Sequence, residues 1–427
     1  MSSFSKMSRR ALVKMGLAST GLPLVSQVIG STSVAEAKPK DDTGFAAVPG
    51  QKGGQDVFGA YDIAKDWPKP LSGVPGNEKW TWGSGEGVFA ESPNRVYMLQ
   101  RGELPNIQRP KTKDLPDFGP SLSFPIGRLP WRDATVASPP GELDGPNRGT
   151  ENVDYKWENC LCVMNAEGDI IERWTQWDSM FRRPHAVYIN PYDPEKNVWV
   201  VDDYRHAIFK FTNDGKKLLL TLGEPNVHGD DDKHFYRPTY LAWLPDGTMF
   251  VADGYANTRV VKFDKNSKYV MTWGQKGTPP NDTRPGYFNG VHGIAVDVPT
   301  KRVFVNDRYN HRIQVFDEDG KFLDQWPTGD PPSDVHLIIM SADRHLWAAD
   351  RGTSKVVKYD LEGHFLYSWG TWGDFPGGFW GVHGMHVDQE GNFYVAEVDS
   401  GRVQKYVPRK GANPAFLIGP PVKPVWK

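Results

Sequence analysis

Over most of its length the chain alternates apolar and polar residues in short runs broken by turn residues. Thr248-Met-Phe-Val-Ala-Asp253 and Arg302-Val-Phe-Val-Asn-Asp307 are two such runs. A period of two sends successive side chains to opposite faces, so these runs predict β-strands. Pro245-Asp246-Gly247 and Gln389-Glu390-Gly391 separate neighbouring runs and predict tight reversals.

The runs recur as a unit. Phe181-Arg-Arg-Pro-His185, Phe235-Tyr-Arg-Pro-Thr239, Phe288-Asn-Gly-Val-His292 and Phe379-Trp-Gly-Val-His383 each open a copy. The second strand of a copy leads to a turn ending in Asn-x-Arg, as at Asn257-Thr-Arg259 and Asn310-His-Arg312. A third strand, a D-x-x-G-like turn and a fourth strand ending in Trp-Gly follow, as at Trp273-Gly274 and Trp369-Gly370. Four short strands per repeat are the signature of a propeller blade. Six units begin near Val88, His185, Thr239, His292, Val335 and His383, so the expected fold is all-β, a six-bladed β-propeller. The first unit breaks after Arg101 and resumes at Cys160, leaving a long proline-rich insertion from Gly102 to about Glu158. An insertion of that length is usually a functional lid or a disordered loop, and a lid over the channel mouth is the favoured expectation. The fragment Lys79-Trp-Thr-Trp82-Gly83 is expected to complete the sixth blade, with Ala415 to Ile418 as its rival. The propeller then occupies 77–427, and the polar, Gly/Pro-rich stretch 38–76 reads as a leader or wrapping segment.

Composition narrows the partners. A net charge of −2 argues against a nucleic acid as the default partner, since a phosphate binder usually shows a basic face. Ser8-Arg9-Arg10-Ala11-Leu12-Val13-Lys14, the apolar stretch Met15 to Ile29 and Ala35-Glu36-Ala37 together read as a twin-arginine signal over 1–37. That apolar stretch is too short to span a bilayer, and no later one is longer, so stable membrane insertion is not expected. The expected location is the periplasm or the extracellular space. Cys160 and Cys162 lie too close along one strand to bridge each other, and read as buried core thiols.

Aligned blades bring chemistry together. The column at the start of the first strands holds Val88, His185, Thr239, His292, Val335 and His383, with histidine in every second blade. Alternate blades of six lie about 120° apart around the axis, so three imidazoles converge there as a tripod. Three His with an open position suit one divalent transition metal, zinc first, although iron and copper also accept imidazole. The other histidines, including His336, fall outside the column; His386, three residues after His383, is a candidate support for a ligand. A second column, after the second strands, holds Arg101, Asp203, Tyr255, Arg308, Arg351 and Val398 at the same end. Its arginines suit an anionic small-molecule or peptide-like substrate, and Arg351 and Trp380 are further substrate-binding candidates. Ion pairs with the neighbouring Asp307 and Asp350 are the plainer reading of Arg308 and Arg351. A tyrosine beside a divalent cation and guanidinium groups is expected to have a lowered pKa and to serve as a base.

These residues carry a resemblance. Val251-Ala-Asp-Gly-Tyr-Ala-Asn-Thr-Arg-Val260, Arg284-Pro-Gly-Tyr-Phe288, Asp307-Arg308 to Phe316 and Asn94-Arg-Val-Tyr-Met-Leu-Gln-Arg101-Gly102 resemble the peptidyl-α-hydroxyglycine α-amidating lyases, six-bladed propellers of NHL-type repeats. The resemblance spans Phe181 to Glu397 together with that first-blade segment. It implies that His185, His292 and His383 bind zinc, that Tyr255 is the catalytic tyrosine, and that Arg101 and Arg308 are active-site arginines. The family's structural calcium (Ca2+) site uses an aspartate directly after the last histidine; Gly384 stands there, so the resemblance does not carry calcium over. Its disulfides have no counterpart, and no hydroxylating domain accompanies the repeats. The function implied is an exported metal-dependent lyase that cleaves an α-hydroxylated, carbinolamide-type substrate to a carbonyl product. A metal-dependent hydrolase on the same site and a non-catalytic binding propeller are the alternatives.

Overall fold

The computed structural model describes residues 57–106, 112–114, 123–125, 150–278 and 282–426. Six four-stranded antiparallel sheets, among the described residues, form the blades. In the first blade Trp80–Ser92, Arg95–Pro105, Leu161–Met164 and Ile170–Arg173 pair in that order, so the insertion interrupts one blade without breaking its sheet. The innermost strands of blades two to six are Pro184–Ile189, Pro238–Trp243, Val291–Asp297, Val335–Met340 and Val382–Val387.

The repeat signatures have mechanical reasons. In blades two to six the acidic residue ending the second strand is buried and accepts a backbone N–H from the loop that feeds the first strand, as Asp202 does from Arg182 at 2.7 Å. Tyr236 N–H donates to Asp253 at 2.9 Å, Asn289 to Asp307 at 2.7 Å, Asp334 to Asp350 at 2.8 Å and Trp380 to Glu397 at 3.0 Å. The arginine of Asn-x-Arg then neutralises that carboxylate, Arg259 on Asp253 at 2.8 Å and Arg312 on Asp307 at 2.8 Å. A buried carboxylate needs such partners, and in return the entry to each inner strand is fixed. The Trp-Gly and D-x-x-G signatures meet between blades. A Cβ at Gly320 would lie 2.8 Å from the Trp273 ring, and one at Gly363 would lie 2.3 Å from Trp326. Only glycine lets the preceding blade's indole seat on that turn.

The ring closes differently from the sequence-based expectation. The outer strand of the sixth blade is Tyr61–Ile63, paired antiparallel with Arg402–Pro408. Neither rival does this. Lys79 precedes, and Trp80 to Gly83 begin, the inner strand of the first blade, with Trp80 opposite Pro105 and Trp82 opposite Glu103. Pro414–Phe416 forms a short 3-10 turn instead. The propeller therefore takes in part of the stretch expected to be a wrapping leader. Tyr61 is fully buried against Trp369, Phe393 and Tyr406. Cys160 and Cys162 are free and buried, as expected. The 1–37 signal and most of the 102–158 insertion lie outside the described residues. No helix among the described residues is long and apolar enough to cross a membrane.

Candidate metal centre

Each inner strand breaks register with its neighbour at the residue that faces the axis. The breaks fall between Pro184 and Ala186, between Val291 and Ile294 and between Val382 and Gly384, at His185, His292 and His383. A bulge re-aims one side chain out of the alternation, and here it sends the imidazole inward. The register also corrects the column. The corresponding break in the first blade is at Glu86 and in the fifth at His336, not at Val88 and Val335. The full ring is thus Glu86, His185, Thr239, His292, His336 and His383, and His336 belongs to it, contrary to the expectation from the sequence.

The three histidines converge. Their ring centroids lie 5.3, 4.5 and 6.0 Å apart, and their candidate ligand atoms all lie within 4.8 Å of one another. Each is oriented by the next blade. His185 Nδ1 donates to the Thr239 carbonyl at 3.1 Å, His383 Nδ1 to the Glu86 carbonyl at 2.7 Å, and His292 Nδ1 to the His336 carbonyl. A carbonyl only accepts, so Nδ1 carries the hydrogen and Nε2 keeps its lone pair. Burial, reinforced by neighbouring imidazoles and guanidinium groups, holds all three well below the ordinary histidine pKa. Neutral imidazoles are the form that ligates metal. His292 Nε2 is buried with no protein partner among the described residues, a cost that a bound cation removes. The donor set fits a divalent transition metal.

Tyr240, absent from the sequence reading, packs its ring 5.0 and 5.2 Å from those of His185 and His292, and its hydroxyl donates to the His383 carbonyl. Gly384 is closely packed. A Cβ there would lie 3.0 Å from Gly87 Cα and 3.1 Å from the Glu86 carbonyl oxygen, so the backbone of the first blade leaves no room for a side chain.

Tyr255 stands over the tripod with its hydroxyl 3.3 Å from His185 Nε2. In the second column the register position is Gly254; a Cβ there would lie 1.9 Å from the Val291 carbonyl oxygen, and Tyr255 follows one residue later. Burial pushes the Tyr255 phenol up to about 12, and Arg308 pulls the other way. The lowering expected from the sequence counted on a divalent cation; among the protein's own groups burial wins. Arg101 is buried, with one nitrogen 2.9 Å from Glu86, while its Nε and Nη1 have no protein partner among the described residues. Arg308 and Arg351 are ion-paired, but across blades. Arg308 grips Asp334 through two bonds of 2.8 Å, and Arg351 grips Asp399 at 2.7 Å. Asp307 and Asp350 are occupied in pinning loops. Trp380 pairs with Trp372 at 5.5 Å. Arg183 and Arg237 complete the set; Arg237 binds Asp203 at 2.7 Å and lies 4.7 Å over the Tyr255 ring. Both occupy the third place of the Phe-x-Arg-Pro opening that the second and third blades share, which is the sequence signal that marks them. His386 is engaged elsewhere: its ring packs, tilted, on Phe89 at 4.0 Å, and its Nδ1 accepts the Ala90 N–H at 3.1 Å.

Sequence comparison gives this geometry its relatives. The chain is 30% identical over 284 residues to the mouse NHL repeat-containing protein 3, covering 60% of this chain and 75% of that one. The chain belongs to the NHL-repeat β-propeller family. The NHL repeat model itself matches residues 288–316, the first three strands of the fourth blade. Other relatives of this NHL propeller are named for amidating chemistry. It is 30% identical over 301 residues to peptidyl-alpha-hydroxyglycine alpha-amidating lyase 1 of Drosophila melanogaster, covering 65% of this chain. It is 31% identical over 263 residues to peptidyl-glycine alpha-amidating monooxygenase A of Xenopus laevis, covering 60% of this chain. The match spans 54% of the fly protein and 28% of the frog protein.

Proposed function

We propose that the protein is an exported, metal-dependent lyase that cleaves an α-hydroxylated, carbinolamide-type small or peptide-like substrate to a carbonyl product. The observation that carries this reading is the convergence of His185, His292 and His383 beneath the Tyr255 hydroxyl, inside a ring of arginines. Similarity to proteins named amidating lyases supports it. Export rests on the twin-arginine pattern at Ser8 to Lys14.

The three histidines would hold the ion, zinc first among the metals that imidazole suits. When bound, such an ion supplies a Lewis acid that makes a substrate hydroxyl more acidic. The unpaired Nε and Nη1 of Arg101 take the substrate's carboxylate. Arg308, braced by Asp334, steadies negative charge as it develops. As a phenolate, ionised once a bound cation adds to the pull of the neighbouring guanidinium groups, Tyr255 would accept the hydroxyl proton while the carbonyl forms and the adjacent C–N bond breaks. The proton then goes to the departing nitrogen, so that one carbinolamide yields one amide and one carbonyl compound. Arg351 and Trp380 contact the rest of the substrate.

The test is a peptide ending in α-hydroxyglycine, given to the protein loaded in turn with zinc, iron(II) and copper(II). Release of amide and glyoxylate in equal amounts is expected. No release with any of the three metals would overturn the reading. A peptide acid carrying label from heavy-oxygen water, in place of the amide, would favour a hydrolase using the same open site.

A further inference from the structure

Past the histidines, the innermost strands continue to the other end of the channel, where they surround a partly open chamber of about 170 Å³. Its walls are apolar, chiefly Leu241, Trp243, Ile294, Ile338 and Met340. The three ligand histidines and Tyr240 are not among its lining residues. Its far side is closed by the chain's own C-terminal strap, Gly419 to Trp426. The strap is tied down on both sides of the mouth. Ala342 N–H donates to the Pro420 carbonyl at 2.9 Å on the fifth blade, and Val425 N–H donates to the Pro191 carbonyl at 2.9 Å on the second.

Most polar groups on the wall are already engaged. The Gln389 amide donates to the Glu91 carbonyl at 3.0 Å, and the Ser341 hydroxyl is taken by Asp343. His386 differs. Its Nδ1 accepts the Ala90 N–H at 3.1 Å, which leaves the hydrogen on Nε2. Burial pushes this imidazole down to about 3, so it stays neutral. Among the described residues the His386 side chain is bonded through Nδ1, and its half-buried ring lines the chamber wall. One neutral donor in an otherwise apolar space is the pattern of a small-molecule site, in which shape gives affinity and a single polar group fixes orientation. An apolar cavity of roughly 150 Å³ is large enough to take up benzene.

We propose that this chamber is a second binding site, for a small uncharged apolar molecule with one hydrogen-bond acceptor directed at His386. A charged ligand has no counter-ion there, and an alkane leaves the imidazole N–H unpaired.

Calorimetric titration of the full chain with acetophenone and with ethylbenzene tests the proposal, since the two are close in size and differ in the acceptor. Acetophenone is expected to bind once per chain and about tenfold more tightly, the ratio that one buried hydrogen bond supplies. His386→Phe keeps a flat ring and removes the donor; there the two affinities should agree within about twofold. Ala242→Phe fills the chamber and should abolish binding of both, while metal content stays at the wild-type value. Failure of acetophenone to bind the wild type, a preference that survives His386→Phe, or undiminished binding to Ala242→Phe would each overturn the proposal. His386→Phe keeps the test decisive if Ala242→Phe does not fold.

Discussion

Replacing Tyr61 by alanine removes the ring that locks the sixth blade to the N-terminal strand. The side chain is fully buried among Trp369, Phe393 and Tyr406, and its hydroxyl accepts the Ile418 N–H at 2.8 Å. Truncating a large buried aromatic costs about 3–5 kcal/mol in lost transfer energy and residual cavity. Leaving the Ile418 N–H without its partner adds about 1 kcal/mol or more. A loss near 5 kcal/mol is a large share of the roughly 5–15 kcal/mol that holds a typical protein folded. Urea unfolding followed by tryptophan fluorescence should show a much lower midpoint at similar slope. Tyr61→Phe, which keeps the ring, should lose only about 1 kcal/mol. The seam matters to the site because His383, on the sixth blade, takes its orientation from Glu86 on the first. Tyr61→Ala should therefore also retain less metal after dialysis. A loss below about 1 kcal/mol would refute closure by this strand and return the role to a rival segment.

Other expectations follow from the site. His292→Ala should lose the transition metal that the wild type carries at about one per chain, read by elemental analysis; full retention would mean that the tripod is not the site. Tyr255→Phe should keep the metal and lower turnover by roughly 10² or more, and near-normal turnover would remove it from the proton path. Arg101→Gln should raise KM for substrates bearing a carboxylate and leave their amide analogues little changed; equal effects on both would argue against carboxylate binding. Chelation with an excess of a transition-metal chelator should abolish activity, and restoring the metal should recover it, whereas activity that survives full metal removal would exclude the proposed chemistry.

The six blades and the three histidines were legible in the sequence because both are periodic. Alternation of apolar residues gives the strands, and histidine in every second copy gives the tripod. The bulges were not legible. Each adds a residue where the column begins, so aligning apolar residues pointed to Val88 and Val335 when the axis positions are Glu86 and His336. Closure was missed because Tyr61-Asp62-Ile63 is too short to show a period, whereas Lys79 to Gly83 carries the aromatic and glycine marks of a blade end. The plainer alternative for Arg308 and Arg351 pairs them with the adjacent Asp307 and Asp350, since sequence shows neighbours and not facing blades. Those carboxylates point into the loops, and Arg308 and Arg351 reach Asp334 and Asp399 instead. Tyr240 was hidden for a different reason: nothing in its own blade shows that the channel beside it contains three imidazoles.

The odd-numbered blades orient each histidine ring through a main-chain carbonyl, at Glu86, Thr239 and His336. A carbonyl is present whatever residue carries it. Three positions encode the ligands, and the three between them hold the imidazoles by backbone while their side chains do other work: Glu86 pairs with Arg101 at 2.9 Å, and the Thr239 hydroxyl donates to the His292 carbonyl at 2.7 Å. Their side chains here are an acid, a hydroxyl and an imidazole, three different chemistries on equivalent sites. Selection for a new substrate would therefore act on those three side chains through what else they touch, while the carbonyls beneath them go on steering the imidazoles.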